Sequence, residues 1–98
     1  MRQEPTRLAT YESAWAFDRE VDIQQTAFYA NTAKYLASEL GSKAVDAAIQ
    51  TLGGRGFHEE HGLVHLLEVV RLAKSAPVGS EMIQNFVAEH TLGLPRSY

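Results

Sequence analysis

Apolar positions recur along the chain at spacings of three and four, a period that predicts four helices and no strands. The first helix is expected over residues 6–19. Pro5 suits its start, Leu8, Tyr11, Trp15 and Asp18 share one face, and Ala14, Phe17 and Val21 widen the apolar side. A short connection at Glu20, Val21 and Asp22 predicts that the next helix packs antiparallel. That second helix is expected over residues 23–52, with Tyr29, Ala33, Leu36, Leu40, Ala44, Ala47 and Thr51 as its stripe. Gly41 interrupts it at a cost of about 1 kcal/mol against Ala, yet the stripe continues in phase. At 1.5 Å rise per residue such a helix is about 45 Å long, more than two short neighbours cover. A third helix is expected over residues 60–74, with Leu63, Leu66, Leu67 and Val70 as its stripe. Pro77 biases Ala76 away from helical angles, so residues 75–79 read as a loop. Ser80 is then a plausible N-cap, with Glu81 in the first turn. A fourth helix carries Met82, Ile83, Phe86, Val87 and His90, and stops at Gly93 and Pro95. The architecture expected is an all-α antiparallel hairpin followed by two shorter helices, one helical domain over residues 1–98.

Composition narrows the function classes. The chain has 98 residues, 45% hydrophobic and 21% charged, which fits one small globular domain. A net charge of −3, with nine scattered Lys and Arg, gives no basic stripe for nucleic acid. No apolar run reaches the roughly 20 residues that span a bilayer. The first residues hold no apolar core of a secretory signal, so the cytoplasm is the expected compartment. The absence of cysteine excludes disulfides and thiolate metal sites.

The chemistry concentrates where the second helix ends. Gln50-Thr51-Leu52-Gly53-Gly54-Arg55-Gly56-Phe57 places three glycines within four residues. Two readings fit this run: a helix C-cap with extra turn glycines, or a polar ligand held partly by backbone, which glycine lets approach closely. A dinucleotide fingerprint does not fit. The spacing is wrong, and a helix precedes the run where that motif requires a strand. His61 and His65 stand four apart, a spacing able to chelate zinc. The pattern is not H-E-x-x-H, and Glu68 is no assured third ligand, so the segment reads as a polar helix start. Trp15, Phe17, Phe28, Tyr29 and Tyr35 read as core or helix–helix interface rather than a ligand pocket.

The glycine run resembles the Gln-x-x-Gly-Gly-x-Gly-aromatic signature of the acyl-coenzyme A dehydrogenase family. Four further blocks resemble that family in the right order. Arg7-Leu8-Ala9-Thr10-Tyr11 is similar to a helix start, Ala33-Lys34-Tyr35-Leu36-Ala37-Ser38-Glu39 to an Ala-Lys-x-x-Ala-Ser-Glu segment, and Gly79-Ser80-Glu81-Met82-Ile83-Gln84 to the run opening the last helix. The ending, residues 92–98, looks like the C-terminus of some bacterial members. The resemblance implies the C-terminal helical domain, without its first helix and without the N-terminal helical and β-domains. It further implies FAD and acyl-CoA as ligands and a homo-oligomer, a dimer or larger. Gln50, Thr51, Leu52, Gly53 and Gly54 would meet FAD bound mainly by a neighbouring subunit. Ser80 and Met82 fall at a second FAD contact, where Met82 replaces a Gln often found there. The family's catalytic base precedes the Gly-Thr/Ser pair, and that position is Val78. Neither Pro77 nor Ala76 rescues it, Glu81 lies inside the helix, and the usual Arg-Asp pair of the third helix is Glu68-Val69. No catalytic residue is assigned. A non-catalytic helical association module derived from the same family is the alternative.

Overall fold

The computed structural model describes residues 3–97. Its element order is α1 (Gln3–Asp18), α2 (Ile23–Leu52), 3-10 turns at Gly53–Phe57 and Glu59–His61, α3 (Leu63–Ala73) and α4 (Ser80–His90). Among the described residues there is no strand, so the expected all-α hairpin followed by two shorter helices is what the chain forms. The second helix has the boundaries that periodicity predicts. Asp22 caps it, its Oδ2 accepting the N–H groups of Gln24 at 3.1 Å and Gln25 at 3.3 Å. No helix among the described residues is long and apolar enough to cross a membrane.

The other boundaries shift. The first helix begins at Gln3 rather than residue 6, and Pro5 lies in its first turn, where a missing N–H costs nothing. The third helix begins at Leu63 rather than residue 60. Gly62, at φ +63°, takes a left-handed conformation that separates a short 3-10 turn from α3.

Two different faces of α2 serve its neighbours. α1 packs along the N-terminal half through small side chains: Thr6, Ala9, Ser13 and Ala16 are its least exposed residues. Leu8, Tyr11, Trp15 and Phe17, which the sequence places on the apolar face of the first helix, are each more than half exposed. α3 and the glycine turn fold onto the other half of α2. There Ser38, Val45, Ala48 and Ile49 are covered, while the expected stripe residues Ala44, Ala47 and Thr51 stay exposed. Gly41 marks the closest approach of these helices, since a Cβ there would stand 3.3 Å from a Val70 methyl. In α3, Leu63, Leu67 and Val70 turn inward, but Leu66 does not. Ile83 anchors α4 at 3% exposure. Of the aromatics expected in core or at a helix–helix interface, Trp15 and Phe17 are exposed, and Phe28, Tyr29 and Tyr35 are half-buried.

Candidate functional site

The glycine turn closes α2 with its own backbone. The Gly53 N–H donates to the Gln50 carbonyl, and Gly53 has φ +59° and ψ −137°, a conformation that L side chains rarely adopt. The chain then winds one 3-10 turn and brings Gly56 against α2. A Cβ at Gly56 would stand 2.9 Å from both the Cα and the carbonyl oxygen of Ile49. Gly54 differs from both. Its φ is not left-handed, and nothing lies within 4 Å of where its Cβ would be. Gln50, Thr51, Leu52, Gly53 and Gly54 are all exposed. The Thr51 hydroxyl donates to the Ala47 carbonyl at 2.8 Å. These five residues therefore form one exposed patch at the end of the longest helix.

Ser80 and Met82 belong to a second patch. Ser80 is not the N-cap that the sequence predicts. Gly79 holds the cap position, and Ser80 is the first helical residue, buried, with its hydroxyl donating to the Lys74 carbonyl at 3.3 Å. The physical reason is the turn before it: the Ser80 N–H also bonds to the Lys74 carbonyl, at 3.0 Å, which draws the side chain back toward the C-terminal end of α3. Met82 is half exposed. This patch sits beside Lys34, sixteen residues before Gln50 on α2, so the two patches are about 24 Å apart along the helix. The structure does not bring all the candidate residues into one pocket.

Sequence reasoning passed over the side chains that hold the second patch. Lys34 donates from its Nζ to the carbonyls of Ala73 and Val78. Glu39 Oε1 lies 2.6 Å from Lys74 Nζ. The hydrogen bond from Lys74 holds the Glu39 carboxyl below its ordinary value, against partial desolvation that pushes it up. Gln84 Nε2 donates to the Tyr35 hydroxyl at 3.1 Å. Lys34 and Glu39 stand in the quoted Ala-Lys-x-x-Ala-Ser-Glu block, but no helical period announces that a lysine will bind another helix's carbonyls.

The histidines form no helical pair. Gly62 separates His61, in the 3-10 turn, from His65 in α3, and both are exposed. Each faces a glutamate at 3.8 Å, Glu60 and Glu68 respectively. Among the described residues, no three His, Cys, Asp or Glu are grouped to hold a metal ion. Val78 is exposed, with its carbonyl turned to Lys34.

The sequence profile of the acyl-CoA dehydrogenase C-terminal domain matches residues 1–92. The chain belongs to the acyl-CoA dehydrogenase family. It is 45% identical over 95 residues to acyl-CoA dehydrogenase FadE12 of Mycobacterium tuberculosis (strain H37Rv), covering 97% of this chain and 24% of that protein. It is 30% identical over 86 residues to the probable acyl-CoA dehydrogenase YngJ of Bacillus subtilis, covering 88% and 22% of the two chains. It is also 30% identical over 96 residues to (R)-benzylsuccinyl-CoA dehydrogenase of Thauera aromatica, covering 97% and 23%. The chain thus spans about a quarter of the length of these relatives. No solved structure gives a significant match. For an acyl-CoA dehydrogenase C-terminal domain, the all-helical fold and the exposed turn at residues 50–54 are the features at hand.

Proposed function

We propose that this chain is the C-terminal helical portion of a FAD-dependent oxidoreductase that dehydrogenates acyl-CoA thioesters between the α and β carbons. In this reading it supplies flavin contacts and oligomer interface in the cytoplasm. The observation that carries the proposal is Gly54. Backbone angle accounts for Gly53 and close packing accounts for Gly56, whereas neither accounts for a glycine at position 54. An exposed glycine with open space before it suits a group that approaches from outside the chain. Gln50, Thr51, Leu52, Gly53 and Gly54 would border FAD held mainly by a neighbouring subunit, with the Gln50 amide as a polar handle. Met82, beside the buried Ser80, would border flavin at the second patch. The buried Ser80 hydroxyl is committed to Lys74, so its contribution there would come through the backbone at the start of α4.

The flavin supplies the redox step, and the protein supplies a base and orientation. Val78, at the family's base position, has no group able to take a proton. The 98 residues alone are therefore expected not to dehydrogenate acyl-CoA, and Val78 also favours the second reading, a non-catalytic association module. Two open grooves flank Tyr35 and Leu36 of α2, one toward Thr6 of α1 and one toward Val87 of α4. They suit further helices, from the family's preceding helix or from another subunit. The test is to purify the chain and record flavin absorption. Absence of bound flavin is expected, and flavin co-purifying with a monomer would overturn the shared-site reading.

A further inference from the structure

Residues 74–79 join α3 to α4, and one segment of α2 grips both ends of this connection. Lys34 Nζ donates to the carbonyl of Ala73, the last residue of α3, and to that of Val78, at 2.5 Å. The last carbonyls of a helix have no intrahelical partner and carry its negative dipole end. An ammonium from another helix satisfies one of them and has further donors for the Val78 carbonyl. Five residues along α2 from Lys34, Glu39 pairs with Lys74 at 2.6 Å. The Lys74 carbonyl in turn accepts the Ser80 N–H at 3.0 Å and hydroxyl at 3.3 Å. Ser75 and Ala76 bond back to Leu72, each at 2.9 Å. Pro77 has no N–H to offer. The Val78 carbonyl on Lys34 is thus what ties the far half of the connection to the long helix.

We propose that Lys34 is a positioning residue, whose bridge between the Ala73 and Val78 carbonyls fixes the α3–α4 connection and the first turn of α4. Its consequence for flavin rests on the reading that Ser80 and Met82 border that cofactor; the positioning itself does not.

Hydrogen–deuterium exchange on the full 98-residue chain tests it with Lys34→Met and Lys34→Arg. Met keeps the stem and removes the donors. In Lys34→Met, exchange of the hydrogen-bonded amides of Ser75, Ala76 and Ser80 is expected to rise about tenfold, as loss of a charge-assisted tether opens the segment locally. Amides of α1 and of the turn Gly53–Phe57 should keep their rates, and Lys34→Arg should restore protection at Ser75, Ala76 and Ser80. Unchanged exchange in that segment, acceleration spread evenly over all helices, or Arg behaving like Met overturns the proposal. Should Lys34→Met not fold, the unsubstituted chain with 15N-lysine serves. The Lys34 ammonium protons should exchange more slowly than those of exposed Lys43, and equal rates overturn it. None of these readouts involves flavin. Failure of the flavin reading leaves them standing, and their failure leaves the patch at residues 50–54 untouched.

Discussion

Gly53 is held at φ +59°, and Gly56 sits where a Cβ would meet the Ile49 backbone at 2.9 Å. Gly54 meets neither demand. The three residues should therefore respond differently to alanine. Gly56→Ala must push the 3-10 turn off α2, and overpacking of that kind costs about 1–3 kcal/mol, measurable as a fall in the urea midpoint. Gly54→Ala should change stability by less than about 0.5 kcal/mol, as exposed substitutions do. A large loss there would show that the chain's own fold requires this glycine, and would remove the main support for an external ligand. The glycine run was legible as a marker in the sequence, but the separate duties of its members were not. Only the return of the turn onto Ile49 distinguishes them. Lys34 was hidden for a similar reason. Its partners are backbone carbonyls 39 and 44 residues away, and these leave no trace in side-chain pattern.

At the scale of elements, α2 was the most legible, since Asp22 and Gly53 bound an unbroken helical pattern. Asp22→Ala should cost about 1 kcal/mol through loss of the cap, read as lower thermal stability with α3 and α4 contacts intact. Periodicity also found the apolar face of α1, but it named no partner for that face. A repeat shows that a face will be covered and does not say by what. Here Thr6, Ala9, Ser13 and Ala16 let α1 lie close to α2, while Leu8, Tyr11 and Trp15 point away. The Glu39–Lys74 pair gives the α3–α4 end a pH dependence. Because Lys74 lowers the folded-state pKa of Glu39, the pair stabilises above the ordinary carboxylate value. That contribution fades as pH falls through the depressed value. Acid titration of the urea midpoint should show this loss in the unsubstituted chain and a smaller one in Glu39→Gln. Equal slopes would dismiss the pair as a determinant.

The whole molecule is more open than a chain of its size needs to be. Its radius of gyration is 16.1 Å, against about 13 Å for a compact domain of this length. Its accessible surface is 7317 Å², against about 5,600 Å² for a compact monomer of this mass. No large side chain is fully buried among the described residues. The excess of about 1,700 Å² is roughly twice what one partner contributes to a standard interface. Leu8, Tyr11, Trp15, Leu66, Val69 and Leu72 supply much of the apolar part. Such exposure marks surface meant for association. It accords with the proposal that this chain, which spans 24% of a relative, packs against further helices. The central claim is that this acyl-CoA dehydrogenase domain carries interface and half of a flavin site. Sedimentation equilibrium of the purified chain, recorded at protein and at flavin wavelengths, tests it most directly. The account predicts a mass at least twice 10.9 kDa with no flavin absorption, and a stable, colourless monomer or a flavin-loaded monomer would contradict it.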